Sequence, residues 1–243
     1  MKDKDIAKFY EGFHNLDNNL INKMMENARY KLLRNLLVEV RGKVLVIGCG
    51  SKDEMSIINN NCDGVGIDIS QTAIMKSKEK YPRFDYYVMD GIHLEFKNSS
   101  FNVVVCSEVI EHVRDSEKLL IEIARVLKDN GILIITTPNW WSIYGVMRKI
   151  GEILFRKPLT SDNQLIDNWS TPFSLRKKLL KHFKIKKFYG FWYYPPIGKG
   201  RVRIPSVILF PFFWLLYPLD VILRRILPWF GHALVFKTVI KKV

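Results

Sequence analysis

Two groups of residues in this chain have types and spacing suited to chemistry. The first is Glu108, Glu111 and His112 in the run SEVIEHV. If that segment turns helically, positions i, i+3 and i+4 fall on one face. Three readings follow. The two carboxylates and the imidazole could hold a divalent cation such as Mg²⁺, lowering the pKa of a bound hydroxyl. Without a metal, His112 could be a general base with Glu111 beside it. Alternatively, Glu108 bonds nearby backbone and His112 caps it, a purely structural role. The second group is Gly48 and Gly50, closing the run KVLVIGCG, with Asp68 twenty residues after Gly48. A β-branched strand ending in two glycines lets the backbone turn sharply against a ligand. An acid at the tip of the next strand can take both hydroxyls of a ribose.

The residues after the turn choose between ligands. A dinucleotide needs the third glycine of G-x-G-x-x-G for close helix packing and room for the pyrophosphate. Asp53 stands there, with Glu54 next to it. Acids at a helix N-terminus repel a pyrophosphate. S-adenosylmethionine carries no phosphate and has a cationic sulfonium, so the pattern favours it over NAD.

Positioning these groups requires a series of parallel strands. Phe84–Met89 reads as a third strand ending in Asp90-Gly91, and Phe101–Cys106 as a buried fourth strand that delivers Ser107 and the Glu/His cluster. A helix is expected from about Ser116 to Lys128, with Leu119, Leu120, Ile123, Ala124 and Leu127 on one face. Asp129-Asn130-Gly131 breaks it before a fifth strand, Ile132–Thr137. Phe183–Phe188 and Ala233–Ile240 read as the sixth and seventh strands. An N-terminal helix carries Leu20, Ile21, Met24, Met25, Ala28, Leu32 and Leu36 on its core face.

Taken in order, VLVIGCG, GVGIDIS, Asp90-Gly91, FNVVVCSEVIEHV and RVLKDNGILIITTPN resemble the class I S-adenosylmethionine-dependent methyltransferases over roughly Lys31 to Asn139. The resemblance implies an α/β fold: a doubly wound, seven-stranded Rossmann-like methyltransferase sheet closed by an antiparallel pair, with an apolar helical insertion between its last two strands. It implies that Gly48, Cys49 and Gly50 face the methionine moiety. Asp68 and Ile69 would meet the ribose and adenine, and Asp90 and Gly91 the adenine edge, with Ser107 in the same cofactor set. The chain departs from the family in having Val46 where an acid is usual and Lys52 where a third glycine is frequent. The stretch SEVIEHV, together with ITTPN and FYGFWYYPP, is also similar to the ubiquinone-pathway O-methyltransferases. That likeness implies a polyprenylated phenol as acceptor and a divalent metal at Glu108, Glu111 and His112.

Length and composition set the frame. The 243 residues suffice for one domain with elaborations. The expected division is a helical cap (1–40), the cofactor-binding core (41–194), an apolar basic insertion (195–231) and the last strand (232–243). Three cysteines without C-x-x-C spacing argue against a disulfide framework or a zinc site, and the charged N-terminus against a signal peptide. A cytoplasmic protein is expected. Charge is uneven. Up to Asp167 Lys/Arg and Asp/Glu balance, whereas Asn168 onward holds fifteen Lys/Arg and one acid, Asp220, accounting for the net +14. Such clustering implies an anionic partner.

Ile204–Leu219 is sixteen residues without charge, reaching about 24 Å as a helix, short of the ~30 Å hydrocarbon core. Pro205, Pro211 and Pro218 interrupt it. Flanking Lys199, Arg201, Arg203, Arg224 and Arg225 suit lipid headgroups, and Trp214, Tyr217 and Trp229 suit the interface. The expectation is a membrane-docking element and peripheral association, with an amphipathic or lipid-linked substrate. Competing readings are a cap buried on the core or in a dimer interface, a lid over a soluble metabolite, or a non-catalytic membrane-associated module. RNA is disfavoured, because the aromatics sit in aliphatic runs rather than among polar and basic residues.

Overall fold

The β-branched run that leads into the glycine turn forms β1 (Gly42–Ile47), and its last four residues are buried. Burial on both faces is what a central strand of a parallel sheet requires. In the computed structural model, which describes residues 20–50, 53–156, 166–193, 222–224 and 226–241, six further strands join it. They are β2 (Cys62–Asp68), β3 (Asp85–Val88), β4 (Phe101–Ser107), β5 (Leu127–Pro138), β6 (Phe183–Phe191) and β7 (Ala233–Ile240). The spatial order is β3-β2-β1-β4-β5-β7-β6. Strands β1 to β5 are parallel, and β7 is antiparallel to both of its neighbours. The seven-stranded sheet and its antiparallel closure are as expected.

Alternation along the strands divides the core in two. Val44, Val46, Val103, Val105 and Val235 face α1 (Leu20–Leu37) and α2 (Gln71–Lys80). Leu45, Ile47, Val104, Cys106, Leu133 and Phe236 face α3 (Ser116–Val126) and α5 (Pro172–His182). Helix α4 (Ile143–Phe155) follows β5. On α3, Leu119, Leu120 and Ile123 are wholly buried, each contributing about 1.5–3 kcal/mol. Local chemistry starts these helices. Asp115 accepts from Glu117 N and Lys118 N, and Thr171 and Ser174 form a reciprocal capping box ahead of α5, with Pro172 in its first turn.

Several details differ from the sequence reading. Helix α3 stops at Val126, and β5 begins at Leu127, already paired with Phe101. Asn130, at φ +60°, turns the chain within the strand, and the β4–β5 register shifts there before Ile132 pairs with Val103. The core face of α1 holds Leu36, as expected, but also Tyr30, Leu33 and Leu37, with Met25 and Leu32 only packed at its edge; the side chains of Leu20, Ile21 and Met24 lie outside those described. Tyr30 can be buried because its hydroxyl donates to Glu54 Oε1 at 2.9 Å.

The segment Ile204–Leu219 lies outside the described residues. Of the insertion's end, Pro228–Phe230 forms a single 3-10 turn. Trp229 packs 4.7 Å from the Phe188 ring and 5.2 Å from Phe173. Asn139 ties this turn to the end of β5, donating through Nδ2 to Trp229 O and Gly231 O, both at 2.8 Å. Among the described residues no helix is long and apolar enough to cross a membrane.

Candidate cofactor and acceptor site

The glycine turn is built for close approach. Gly48 and Gly50 have φ of +69° and +58°, the left-handed region open to glycine. A Cβ on Gly48 would also lie 2.3 Å from Val109 Cγ2, so the segment after β4 presses directly on the turn. Asp68, half-buried at the tip of β2, holds the turn from the other side. Its Oδ2 accepts Gly50 N at 2.9 Å, and its Oδ1 accepts Ser70 N at 3.0 Å. Cys49 N donates to Ile67 O at 2.9 Å, and Ser77 Oγ donates to Gly50 O at 2.5 Å. Ile69 is half-buried beside Asp68.

Cys49 contributes only backbone to this edge. Its side chain is fully buried beneath the turn, where burial pushes its thiol pKa up. Asp90 follows β3, with Oδ1 accepting Ile92 N at 3.1 Å. Gly91 is packed where a Cβ would meet Ile47 and Leu119 at 3.0 Å.

Between β1 and β2 the described residues contain no α-helix, only a 3-10 turn over Glu54–Ile57. A pyrophosphate would therefore lack the helix N-terminus on which dinucleotide sites depend. Asp53 is turned away toward Tyr81, whose hydroxyl it accepts, and toward Lys80. Val46 points into the core. The acids that stand near the turn are instead Glu54 and Glu108. Arg29 of α1 is paired with Glu54 at 3.2 Å, and the Glu108 charge also acts on it. Burial opposes the charge of Arg29, but Tyr30, Glu108 and Glu54 hold its pKa up. The arrangement, a cation with two acids acting on it, suits a zwitterionic amino-acid end. Sequence reasoning missed Arg29 and Glu54 in this role, because 25 residues separate them.

The Glu/His segment does not turn as one helical face. Glu108 has φ +55° because its amide is drawn to β5, donating to Thr136 O at 3.2 Å and Thr136 Oγ1 at 3.1 Å. Thr136 Oγ1 in turn bonds Glu108 Oε1 at 2.7 Å and lies 3.1 Å from Ser107 Oγ. Glu111 is buried and directs Oε2 to Thr137 Oγ1 at 3.0 Å. His112 Nδ1 lies 2.8 Å from the Ile166 carbonyl. A carbonyl only accepts, so Nδ1 carries a proton, and in the neutral ring Nε2 is the basic nitrogen. The three side chains thus point to three separate partners, and among the described residues no group of three His, Cys, Asp or Glu could hold a metal ion. Glu108, Glu111 and His112 are thus not brought together as one ligand set in this arrangement.

What remains is a histidine beside a buried carboxyl. Glu111 Oε1 has no hydrogen-bond partner among the described residues and lies 3.8 Å from His112 Nε2. Burial, followed by the Glu108 charge, raises the Glu111 pKa well above the usual carboxylate range. Behind this pair, residues 166–170 form a strap. Asn168 N donates to Glu111 O at 2.9 Å, and Trp140 N to Ser170 O at 3.1 Å. Asp167 is ion-paired with Arg148 of α4 at 2.8 Å. The Arg148 guanidinium sits 4.5 Å from the Trp169 ring and 5.0 Å from Trp140.

The strand order, the glycine turn and the acids at the tips of β2 and β3 are those of the class I S-adenosylmethionine-dependent methyltransferase fold. Comparison with known proteins adds to this: residues 45–135 match the family described as "Methyltransferase domain". Over 141 residues the chain is 31% identical to an uncharacterized protein of Methanocaldococcus jannaschii, covering 56% of this chain and 54% of that one. Over 99 residues it is 32% identical to a probable S-adenosylmethionine-dependent methyltransferase of Mycobacterium tuberculosis, covering 40% and 35%. The chain therefore spans about half, or less, of these relatives' lengths. Its fold is that of the N-methyltransferase NodS of Bradyrhizobium japonicum, solved with S-adenosyl-L-homocysteine (TM-score 0.61, 13% identity, 98% of each chain covered).

Proposed function

We propose that this protein transfers a methyl group from S-adenosylmethionine to an oxygen of an amphipathic or lipid-linked acceptor at a membrane surface. The observation that carries the cofactor assignment is the Gly50–Asp68 contact at the end of a turn that lacks a pyrophosphate helix. In the bound state Asp68 would accept the ribose hydroxyls on its remaining lone pairs, Asp90 and Gly91 would border the adenine, and Gly48 to Gly50 would line the methionine chain. Arg29 would meet the amino-acid carboxylate, with Glu54 and Glu108 near the ammonium. Bound there, the cofactor supplies an electrophilic methyl group.

The chain's own part is positioning and proton removal. Holding the acceptor oxygen in line with the methyl is the larger contribution. His112 Nε2, with its ring fixed by the Ile166 carbonyl, is oriented to take the hydroxyl proton as oxygen attacks. Glu111 Oε1 lies 3.8 Å from that nitrogen, a buried carboxyl beside the imidazole. The acceptor class is supported by the fifteen cations after Asp167 and the uncharged run Ile204–Leu219. A peripheral, cytoplasmic-side location fits the same features.

The test is transfer of labelled methyl from S-adenosylmethionine into lipid extracts and into aqueous metabolite pools. Label in the lipid phase supports the proposal. Label only in the aqueous pool favours a soluble acceptor with the insertion as its lid, and label in neither favours a non-catalytic module.

A further inference from the structure

Helix α4 is packed inside out. Its buried residues are Gly145 and Arg148. Gly145 lies so close to the post-β5 turn that a Cβ would fall 2.5 Å from Asn139 O. Arg148 is held by Asp167 and Glu152 between two tryptophans. The apolar stripe faces outward: Ile143, Met147, Ile150, Ile153, Leu154 and Phe155 are 53–73% exposed. A stripe of that size on one side of a helix marks an interaction surface.

Charge says what covers it. The one acid of α4, Glu152, is taken by Arg148 and Lys149 at 3.2 and 3.3 Å. Among the described residues the exposed charges of α4 and its C-cap are cations, Lys149 and Arg156, and α5 carries exposed Arg176 and Lys177. Phe173, at the head of α5, is in ring contact with Trp141, just before α4, at 5.0 Å, so the starts of the two helices meet. An aliphatic stripe bordered by cations and aromatic rings matches the surface of an anionic bilayer.

We propose that α4 is a docking helix for an anionic lipid surface, lying in its plane with the outward stripe inserted. At thirteen residues the helix is about 20 Å long, suited to lying flat rather than spanning. Docking there is coupled to the site by one short path. Arg148 holds Asp167, and the adjacent Ile166 carbonyl orients His112. The helix that touches lipid thereby sets which way the acceptor end of the site faces. This inference rests on the membrane-surface reading above and names the element that carries it.

The test is flotation of the full chain with phosphatidylcholine vesicles, with and without phosphatidylglycerol, alongside calorimetry with S-adenosylhomocysteine and light scattering. Wild type should float with the anionic vesicles. Ile150→Asn with Leu154→Asn, and separately Lys149→Glu with Arg156→Glu, should each lower the partition coefficient at least tenfold while cofactor affinity stays unchanged. If the Asn pair fails to fold, the charge pair decides alone. Undiminished flotation of the charge pair overturns the role of α4 while leaving the membrane reading in place. No flotation of wild type overturns both, and a dimer that the Asn pair dissociates would identify a second copy as the occupant instead. Failure of the methyltransferase reading shows separately, as loss of cofactor binding in wild type.

Discussion

Gly50 donates its backbone amide to Asp68 Oδ2 at 2.9 Å, joining the first βα turn to the tip of the neighbouring strand. One carboxylate thus shapes the turn and presents itself to the ribose. Asp68→Ala removes both contributions. Calorimetry should show S-adenosylhomocysteine binding weakened by about 1.5–3 kcal/mol, the scale of hydrogen bonds to a charged group. Unchanged affinity would remove Asp68 from the site.

The pairing of Gly48, Gly50 and Asp68 was legible because it follows from local sequence: buried parallel strands read as continuous apolar runs, and glycines end them. β7, though antiparallel, was placed to the residue, Ala233–Ile240, because its apolar run ALVF starts just past Gly231. The Glu108–Glu111–His112 face was not legible. Its geometry is set by Thr136 and Thr137 of β5, which reverse the backbone at Glu108 and separate the carboxyls. Arg29 and Glu54 meet only through the docking of α1 on the sheet. Helix α4 defeats the usual inside-outside rule, since Arg148 is its buried side chain and its apolar stripe is exposed.

A metal-independent histidine predicts a particular pattern of loss. Activity should survive a chelator, while His112→Ala should lower kcat by about 10²- to 10⁴-fold, the usual span for general acid–base catalysis, without weakening S-adenosylhomocysteine binding. Full activity in His112→Ala would reduce the residue to a structural one, and loss of activity with a chelator would restore the metal reading.

Glu111 makes stability depend on pH. Burial, then the nearby Glu108 and Asp167 charges, raise its pKa, with Thr137 opposing. The folded protein keeps a proton that the unfolded chain releases above about pH 4.3. Stability therefore falls as pH rises from there through the folded pKa. His112, 3.8 Å away, is the cation that can offset this when protonated. Denaturant midpoints of wild type and Glu111→Gln should lie close together near pH 5 and separate toward about pH 8, the variant being the more stable. Parallel midpoints across that range would contradict a protonated Glu111.

Arg148 and Asp167 are both nearly inaccessible. Arg148→Met leaves the Asp167 carboxylate buried without its cation, a loss of about 3–5 kcal/mol in unfolding free energy. Replacing both, Arg148→Met with Asp167→Leu, should recover most of that loss. If the single variant is as stable as wild type, the strap behind Glu111 and His112 is not held by this pair.

The most direct test is calorimetric titration of the purified chain with S-adenosylhomocysteine and, separately, with NAD. The cradle of Gly48, Gly50, Asp68 and Asp90 predicts saturable one-to-one binding of the first and no heat from the second. NAD binding, or no binding of S-adenosylhomocysteine, would contradict the assignment.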